Sequence, residues 1–238
     1  RTGEVIGVEA LIRWLHSDRG LVPPLEFLPV IEDHAISLEL GEWVLQSALT
    51  QINQWRSIGL NLPISVNISA YQLQQGNFTT RLSALLAAHP EVNPHYLELE
   101  ILETSALNDI SQVSTTMKAC QKLGVRFALD DFGTGYSSLT HLRRLPAYLV
   151  KIDQSFVHDM LEDADDLAIV EGVVGLAKAF QREVIAEGVE TIAHGVALSH
   201  LGCELALGDG IPRPMPADDI PDGMPSWKAD DAWQARRL

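Results

Sequence analysis

Cysteine is scarce in this chain, which has only Cys120 and Cys203 among its 238 residues. Two thiols are too few for a disulfide framework, and no cysteine–histidine spacing is typical of a zinc site. We expect both cysteines to be buried thiols in a reducing cytoplasm. The sequence therefore argues against a redox role and against a zinc role.

Basic residues are also few, with 17 Lys and Arg against 32 Asp and Glu and a net charge of −15. Such a surface repels the phosphates of long nucleic acids, which argues against a partner that is a DNA or RNA polymer. A small anionic substrate would need metal ions as intermediaries.

Long apolar runs are missing as well. No run approaches the roughly 20 residues that span a bilayer, and no charged-then-apolar leader opens the chain. We therefore expect no membrane segment in this chain, and a cytoplasmic location for it or for a larger protein that contains it.

Apolar, β-branched runs of strand length alternate with helical stretches along the chain. The predicted strands number seven, at 5–11, 62–68, 96–102, 125–129, 148–152, 183–186 and 203–207. The predicted helices are 37–58, 78–88, 109–123, 137–144, 164–180 and 191–201. This α/β alternation predicts a parallel sheet with helical crossovers, and the number of units favours a TIM-like (β/α)8 barrel.

A barrel of eight strands has one strand more than this chain provides. The segment Arg1-Thr2-Gly3-Glu4 resembles the turn of a hairpin whose first strand is absent. We therefore expect a single domain over residues 1–238 that lacks its first strand and helix and is a C-terminal fragment of a larger signalling protein.

Polar and ionisable residues fall near the ends of all but the last predicted strand. They are Glu9, Asn67, Glu100, Asp130, Asp131, Lys151, Asp153, Glu187 and Glu190. In a (β/α)8 barrel the carboxyl ends of the strands form the rim where catalytic groups assemble. Any one carboxylate there can instead cap the next helix, and Asp153 and Glu190 are the best candidates for that structural role.

The set as a whole points to metal ions. Carboxylates that converge on one rim repel each other unless cations hold them, and hard oxygen ligands suit Mg²⁺ or Mn²⁺. A two-metal site that cleaves a phosphodiester is the simplest interpretation, with Lys151 orienting the attacking water or helping to deprotonate it.

The segment Asp130 to Leu139 combines paired carboxylates, two glycines and a predicted helix start. It fits a loop that moves over a metal centre. It equally fits a strand-to-helix turn with Ser137 as the N-cap, and the two interpretations are compatible.

Six segments together resemble one known family. Glu9-Ala10-Leu11-Ile12-Arg13-Trp14 resembles the signature that names the EAL family of cyclic di-GMP phosphodiesterases. The other five resemble that family's blocks in order and are Val66–Ser69, Glu98–Glu103, Asp130–Leu139, Lys151–Val157 and Ala186–Thr191. The resemblance covers nearly the whole chain.

This resemblance implies a role for each matching residue. The implied ligands of two Mg²⁺ or Mn²⁺ ions are Glu9, Asn67, Glu100, Asp130, Asp131 and Glu187. Lys151 would position the attacking water and act with Asp131 and Glu187 in catalysis. Arg13 would bind a substrate phosphate with Leu11 beside it, while Glu103, Asp153 and Glu190 would support the loop and the site. The resemblance also implies a homodimer contact at the loop and an upstream GGDEF or sensor domain.

One position departs from the family. Where relatives have Gln-Gly and an aromatic residue, this chain has Leu207-Gly208-Asp209, so an amide near the site is lost. Two functions stay open: hydrolysis of cyclic di-GMP to the linear dinucleotide pGpG, and a catalytically weak cyclic di-GMP receptor that signals through a partner domain. An unrelated metal-dependent barrel is a third, disfavoured interpretation.

The histidines have no spacing typical of metal ligands. His34, His95, His141 and His194 are expected at surface or capping positions.

Overall fold

The computed structural model describes residues 3–31, 34–103, 109–135, 138–224 and 227–234. The chain divides into two compact units. Of the described residues, the N-terminal unit holds 6–101 and 109–126, and the C-terminal unit holds the rest.

The N-terminal unit is built on three parallel strands. Its elements in chain order are β1 (Val8–Ala10), β2 (Trp14–His16), β3 (Gly20–Val22), α1 (Pro24–Ile31), α2 (Ala35–Ser57), β4 (Ile64–Asn67), α3 (Ala70–Leu73), α4 (Phe78–Ala88), a 3-10 turn (Pro94–Tyr96), β5 (Leu97–Leu102) and α5 (Ile110–Gln121). Strand β4 pairs with β1 on one side and β5 on the other, while β2 and β3 form a separate antiparallel hairpin.

The C-terminal unit is built on four parallel strands. Its elements are β6 (Arg126–Phe132), α6 (Ser138–Arg144), β7 (Leu149–Ile152), α7 (Gln154–Asp159), α8 (Ala164–Ala179), β8 (Glu183–Ala186), α9 (Ile192–Leu201), β9 (Leu205–Ala206), a 3-10 turn (Ala217–Asp219), α10 (Ile220–Gly223) and α11 (Asp231–Gln234). Each strand from β6 to β9 pairs with the next along the chain.

Local chemistry explains where several helices begin and end. Asp109, Asp163 and Thr191 each accept a backbone N–H in the first turn of the helix that follows, which satisfies donors that have no intrahelical partner. Helix α9 ends at Gly202, whose φ of +83° is the left-handed conformation that glycine adopts without a Cβ clash. These capping interactions determine the residues at which α5, α8 and α9 begin and at which α9 ends.

All the predicted strands are present, but two parts of the prediction need correction. Strand β6 continues through Asp130 and Asp131 to Phe132, whereas the sequence placed both carboxylates after the strand. The hairpin β2–β3 and helix α1 were not predicted, because the strands have only three residues each and Pro29 lies inside the helix. Pro24 is at the first helical position, where it costs no hydrogen bond.

Within the residues that the structure describes, no helix is both long enough and apolar enough to cross a membrane.

Candidate active site

A buried lysine lies among carboxylates at the carboxyl ends of β6, β7 and β8. The Nζ atom of Lys151 is 3.0 Å from Oδ1 of Asp130 and 2.7 Å from Oε1 of Glu187. Lys151 is on β7 and is only 2% exposed, while Glu187 directly follows β8. One ammonium is thus held between two carboxylates that are far apart in sequence.

An irregularity in β6 adds a third carboxylate to this group. Consecutive residues of a regular strand point to opposite faces, so Asp130 and Asp131 would normally diverge. The pairing of β6 with β7 shifts register between Leu129 and Phe132, and Asp131 has a φ of +50°. Carboxylate oxygens of Asp130, Asp131 and Glu187 consequently lie within 4.8 Å of one another.

The charges of this cluster are not balanced by the lysine alone. Three carboxylates face one ammonium, and the buried Oδ1 of Asp130 accepts no aligned hydrogen bond from any described residue although Lys151 is close. Burial, followed by the neighbouring charge of Asp130, raises the pKa of Asp131 to about 7. Close hard oxygens with spare negative charge fit a divalent cation of the Mg²⁺ or Mn²⁺ class.

The raised pKa of Asp131 predicts how the metal-free protein responds to pH. The folded state binds this proton more tightly than the unfolded state, whose carboxyl has the ordinary pKa of 3.8. The contribution of Asp131 to the free energy of unfolding therefore falls as the pH rises from about 4 to about 7. In EDTA, Asp131→Asn should raise the melting temperature at pH 8 and change it little at pH 4. An equal change in melting temperature at pH 4 and at pH 8 would contradict the raised pKa of Asp131.

A second polar group occupies the N-terminal unit. Nδ2 of Asn67, at the end of β4, donates a hydrogen bond of 2.9 Å to Oε1 of Glu9 on β1. Asn67 is also the register partner of Glu100 on β5, which is 2% exposed. Because the amide nitrogen of Asn67 is turned to Glu9, its oxygen is the atom a hard cation would take.

The two residues expected to bind substrate follow β1. Leu11 is 44% exposed. Arg13 is exposed, and its Nη1 donates a 2.8 Å hydrogen bond to the backbone oxygen of Ile12. Both side chains are therefore accessible to a ligand.

The three expected support residues have different surroundings. Glu103 is fully buried and accepts a 3.0 Å hydrogen bond from the backbone N–H of Gly133. Asp153 caps α7 by accepting the N–H of Ser155, and its carboxyl group is close enough to Asp131 to contribute to the raised pKa of that residue. Glu190 is exposed, with Oε2 3.6 Å from Nδ1 of His158. Asp153 thus has the capping role expected of it and lies close to the carboxylate cluster.

Two of the histidines predicted at surface or capping positions are buried. His141 and His194 are 1% and 5% exposed, so neither lies on the surface. Nδ1 of His141 is 3.1 Å from Oε1 of Glu103, a residue 38 positions earlier in the chain. No local pattern reveals such a pair; the only available signal was a histidine at an apolar position of a predicted helix.

The atypical Leu207 continues the pairing of β9 with β8. Its N–H donates to the oxygen of Ala186 over 2.8 Å, and its oxygen accepts from Val189 over 3.0 Å. Strand alternation places Leu207 on the face that holds Ile185 and Glu187. Leu207 is half-buried and Asp209 is exposed.

One predicted feature of the segment after β6, the N-cap at Ser137, lies outside the described residues, as does Tyr136.

Parallel strands alternating with helices, with ionisable side chains at the carboxyl ends of the strands, are typical of α/β enzymes whose active site lies at those ends. The EAL domain family model matches residues 1–214, so the chain belongs to the EAL domain family. The family assignment made from the six sequence segments is confirmed.

Named relatives and solved structures agree with this assignment. The chain is 40% identical over 219 residues to the bifunctional diguanylate cyclase/cyclic di-GMP phosphodiesterase MucR of Pseudomonas aeruginosa, covering 92% of the chain and 32% of MucR. It is 37% identical to the cyclic di-GMP phosphodiesterase PdeR of Escherichia coli, covering 90% of the chain and 32% of PdeR. The chain thus spans about a third of the length of these relatives.

The structure of the PaMucR phosphodiesterase in its c-di-GMP complex matches with a TM-score of 0.87 and 40% identity, over 92% of this chain and 89% of that one. The EAL enzyme Bd1971, in its form bound to cAMP and cyclic-di-GMP, matches with a TM-score of 0.83 and 31% identity, over 89% and 58% of the two chains. The predicted fold class, a TIM-like barrel, is confirmed, with seven parallel strands described here.

Proposed function

We propose that this chain hydrolyses one phosphodiester bond of cyclic di-GMP, giving linear pGpG, with two Mg²⁺ or Mn²⁺ ions. The observation that supports this most directly is the cluster of Asp130, Asp131 and Glu187 around the buried ammonium of Lys151. It combines oxygen ligands with a cationic group that can reach a water molecule beside them. The choice of cyclic di-GMP as the substrate follows from the similarity to relatives that are named as cyclic di-GMP phosphodiesterases.

Each residue of the chain then has a task. Asp130, Asp131 and Glu187 would hold a cation, and by family resemblance Glu9, Asn67 and Glu100 would serve as ligands too. When bound, divalent ions stabilise developing negative charge and make water a stronger nucleophile. Lys151 donates to the attacking water and orients it toward phosphorus, while Arg13 offers a planar guanidinium to a substrate phosphate.

Direct assay of the product tests the proposal. The purified chain is incubated with cyclic di-GMP and Mg²⁺ or Mn²⁺, with an EDTA sample as control, and nucleotides are separated by chromatography. We expect pGpG only in the presence of metal. Binding of cyclic di-GMP without any pGpG would favour the receptor function.

The receptor alternative has one observation in its favour, the replacement of an amide by Leu207. A leucine cannot hydrogen-bond a substrate phosphate or a water at the site. Turnover is then reduced, although the cluster around Lys151 is intact. The position of Leu207 on the face of Glu187 makes this effect testable.

We predict that Leu207→Gln raises turnover of cyclic di-GMP. One recovered hydrogen bond to a charged group is worth about 1.5–3 kcal/mol, or roughly a ten- to hundredfold increase if it forms in the transition state. The matched control is Leu205→Gln, on the same face two residues earlier, which should not raise turnover. If Leu207→Gln only lowers stability while Asp209→Ala reduces the rate, Asp209 has taken over the polar role.

The wider context is also proposed from the relatives. The curated relatives are about three times as long as the match, and MucR is named as bifunctional. We propose that the chain works in the cytoplasm as one domain of a larger signalling protein with a GGDEF or sensor domain upstream, and that it forms a homodimer. Light scattering of the purified chain, with and without cyclic di-GMP, measures its oligomeric state.

A further inference from the structure

The side chains of Glu103 and His141 form a deeply buried ionisable pair in the C-terminal unit. They are 0% and 1% exposed, and Nδ1 of His141 lies 3.1 Å from Oε1 of Glu103. A carboxylate only accepts hydrogen bonds, so Nδ1–H of the imidazole is the donor. Neither residue is among the proposed metal ligands, and the mechanism above gives His141 no task.

Glu103 holds the chain on both sides of the irregular end of β6. Its backbone N–H donates to the oxygen of Asp130 over 3.0 Å, and its Oε2 accepts the N–H of Gly133 over 3.0 Å. A Cβ placed on Gly135 would come within 2.9 Å of Oε1 of Glu103, so the backbone passes close to this carboxylate. Glu103 therefore braces the irregular end of β6, a turn of the backbone that contains Asp131.

This turn needs bracing because its backbone is strained. Asp131 has a φ of +50°, in the left-handed region that residues other than glycine seldom occupy. Such conformations persist only when surrounding bonds over-determine them. The strain is also what brings the carboxylate of Asp131 to those of Asp130 and Glu187, so loss of the brace would disperse the cluster.

We propose that His141 is a positioning residue of this site, which holds the Glu103 carboxylate in the orientation that fixes the turn at Asp131. The proposal rests on the phosphodiesterase function proposed above and extends it to a residue outside the metal ligands. By donating to Oε1, His141 leaves Oε2 directed to Gly133. Without that donor, a buried carboxylate is left with unmet hydrogen-bonding capacity and turns to other partners.

The experiment compares His141→Leu, which removes the donor, with His141→Asn, whose amide nitrogen is close to the position of Nδ1. The readouts are Mn²⁺ affinity by calorimetry, kcat and KM for cyclic di-GMP, and melting temperature. We expect His141→Leu to lower Mn²⁺ affinity and kcat by about 10–100-fold, as loss of a group that orients ligands does, with KM changed less. His141→Asn should restore most of both.

His194→Leu is the matched control. His194 is also a buried histidine, but its ring nitrogens meet Thr191 and the backbone oxygen of His158. It should lower the melting temperature without changing Mn²⁺ affinity. If it lowers Mn²⁺ affinity as much as His141→Leu does, general destabilisation explains both results and the proposal fails.

The double variant Glu103→Leu with His141→Leu separates positioning from packing. Replacing both partners of a buried pair by apolar groups is often neutral for stability. We expect its melting temperature to exceed that of His141→Leu while Mn²⁺ affinity stays low, because Gly133 has lost its acceptor. This variant and His141→Asn also decide the matter if His141→Leu does not fold.

Two results would overturn the proposal: wild-type Mn²⁺ affinity and kcat in His141→Leu, or their recovery in the double variant. Failure of the proposed function has a different signature. In that case the wild-type chain yields no pGpG, whereas the comparison of Mn²⁺ affinities still judges the role of His141.

Discussion

Lys151→Met is expected to lower kcat for cyclic di-GMP by about 10²–10³-fold, the loss typical when one positioned hydrogen-bond donor is removed from an active site. Lys151 Nζ lies 3.0 Å from Asp130 and 2.7 Å from Glu187, so the ammonium has little freedom. Methionine keeps most of the length and volume of the side chain but cannot donate to a water molecule. KM should change less than kcat, because the lost contact is to the nucleophile rather than to the substrate.

The same substitution has a second expected effect, on the metal-free protein. Removing one partner of a buried ion pair leaves uncompensated charge and costs about 3–5 kcal/mol. The melting temperature of Lys151→Met in EDTA should therefore be lower than that of the wild type. Added Mg²⁺ should raise the melting temperature of the variant by more than it raises that of the wild type. Lys118→Met, at an exposed lysine of α5, is the control and should change neither quantity. Unchanged kcat in Lys151→Met would exclude the assigned role.

Glu9→Ala is expected to abolish hydrolysis. If Glu9 is a charged metal ligand, its loss removes several kcal/mol of transition-state stabilisation, or roughly a thousandfold or more in rate. The melting temperature should change less than the activity, since Glu9 is only partly buried and accepts its hydrogen bond from Asn67 at the exposed end of the strands. The readouts are pGpG formation and melting temperature.

Glu9→Gln distinguishes the two properties of this side chain. Its amide oxygen can still accept the hydrogen bond from Asn67, but the charge is gone. We expect nearly the same loss of activity as in Glu9→Ala, whereas Glu39→Ala, at an exposed position of α2, should leave activity intact. Full activity in Glu9→Gln would show that the hydrogen bond matters and the charge does not.

The sequence predicted the parallel strands because each is a short run with apolar residues, most of them containing β-branched residues, followed by a turn or a polar residue. Helix α4 was predicted at its observed bounds, Phe78–Ala88, since an apolar stripe and flanking polar residues mark both ends. The observed bounds of the other predicted helices and strands differ from the predicted bounds by a few residues. The hairpin β2–β3 escaped prediction because three-residue strands show no period of their own.

The geometry of the cluster could not be predicted from sequence. Pattern reasoning placed Asp130 and Asp131 after β6, but the backbone of Asp131 is left-handed only because distant residues hold it there. Glu103 and His141 illustrate the same limit, since 38 positions separate the two side chains that meet. The convergence of all the expected ligands on one rim stays a prediction.

Lys151 has a consequence for the order in which the protein is made and loaded. Its ammonium lies between Asp130 and Glu187 and neutralises part of their charge, as a bound ion would. We therefore expect the chain to fold when divalent ions are scarce and to bind metal in a separate, reversible step. Zinc fingers behave differently, because they unfold when their ion is removed.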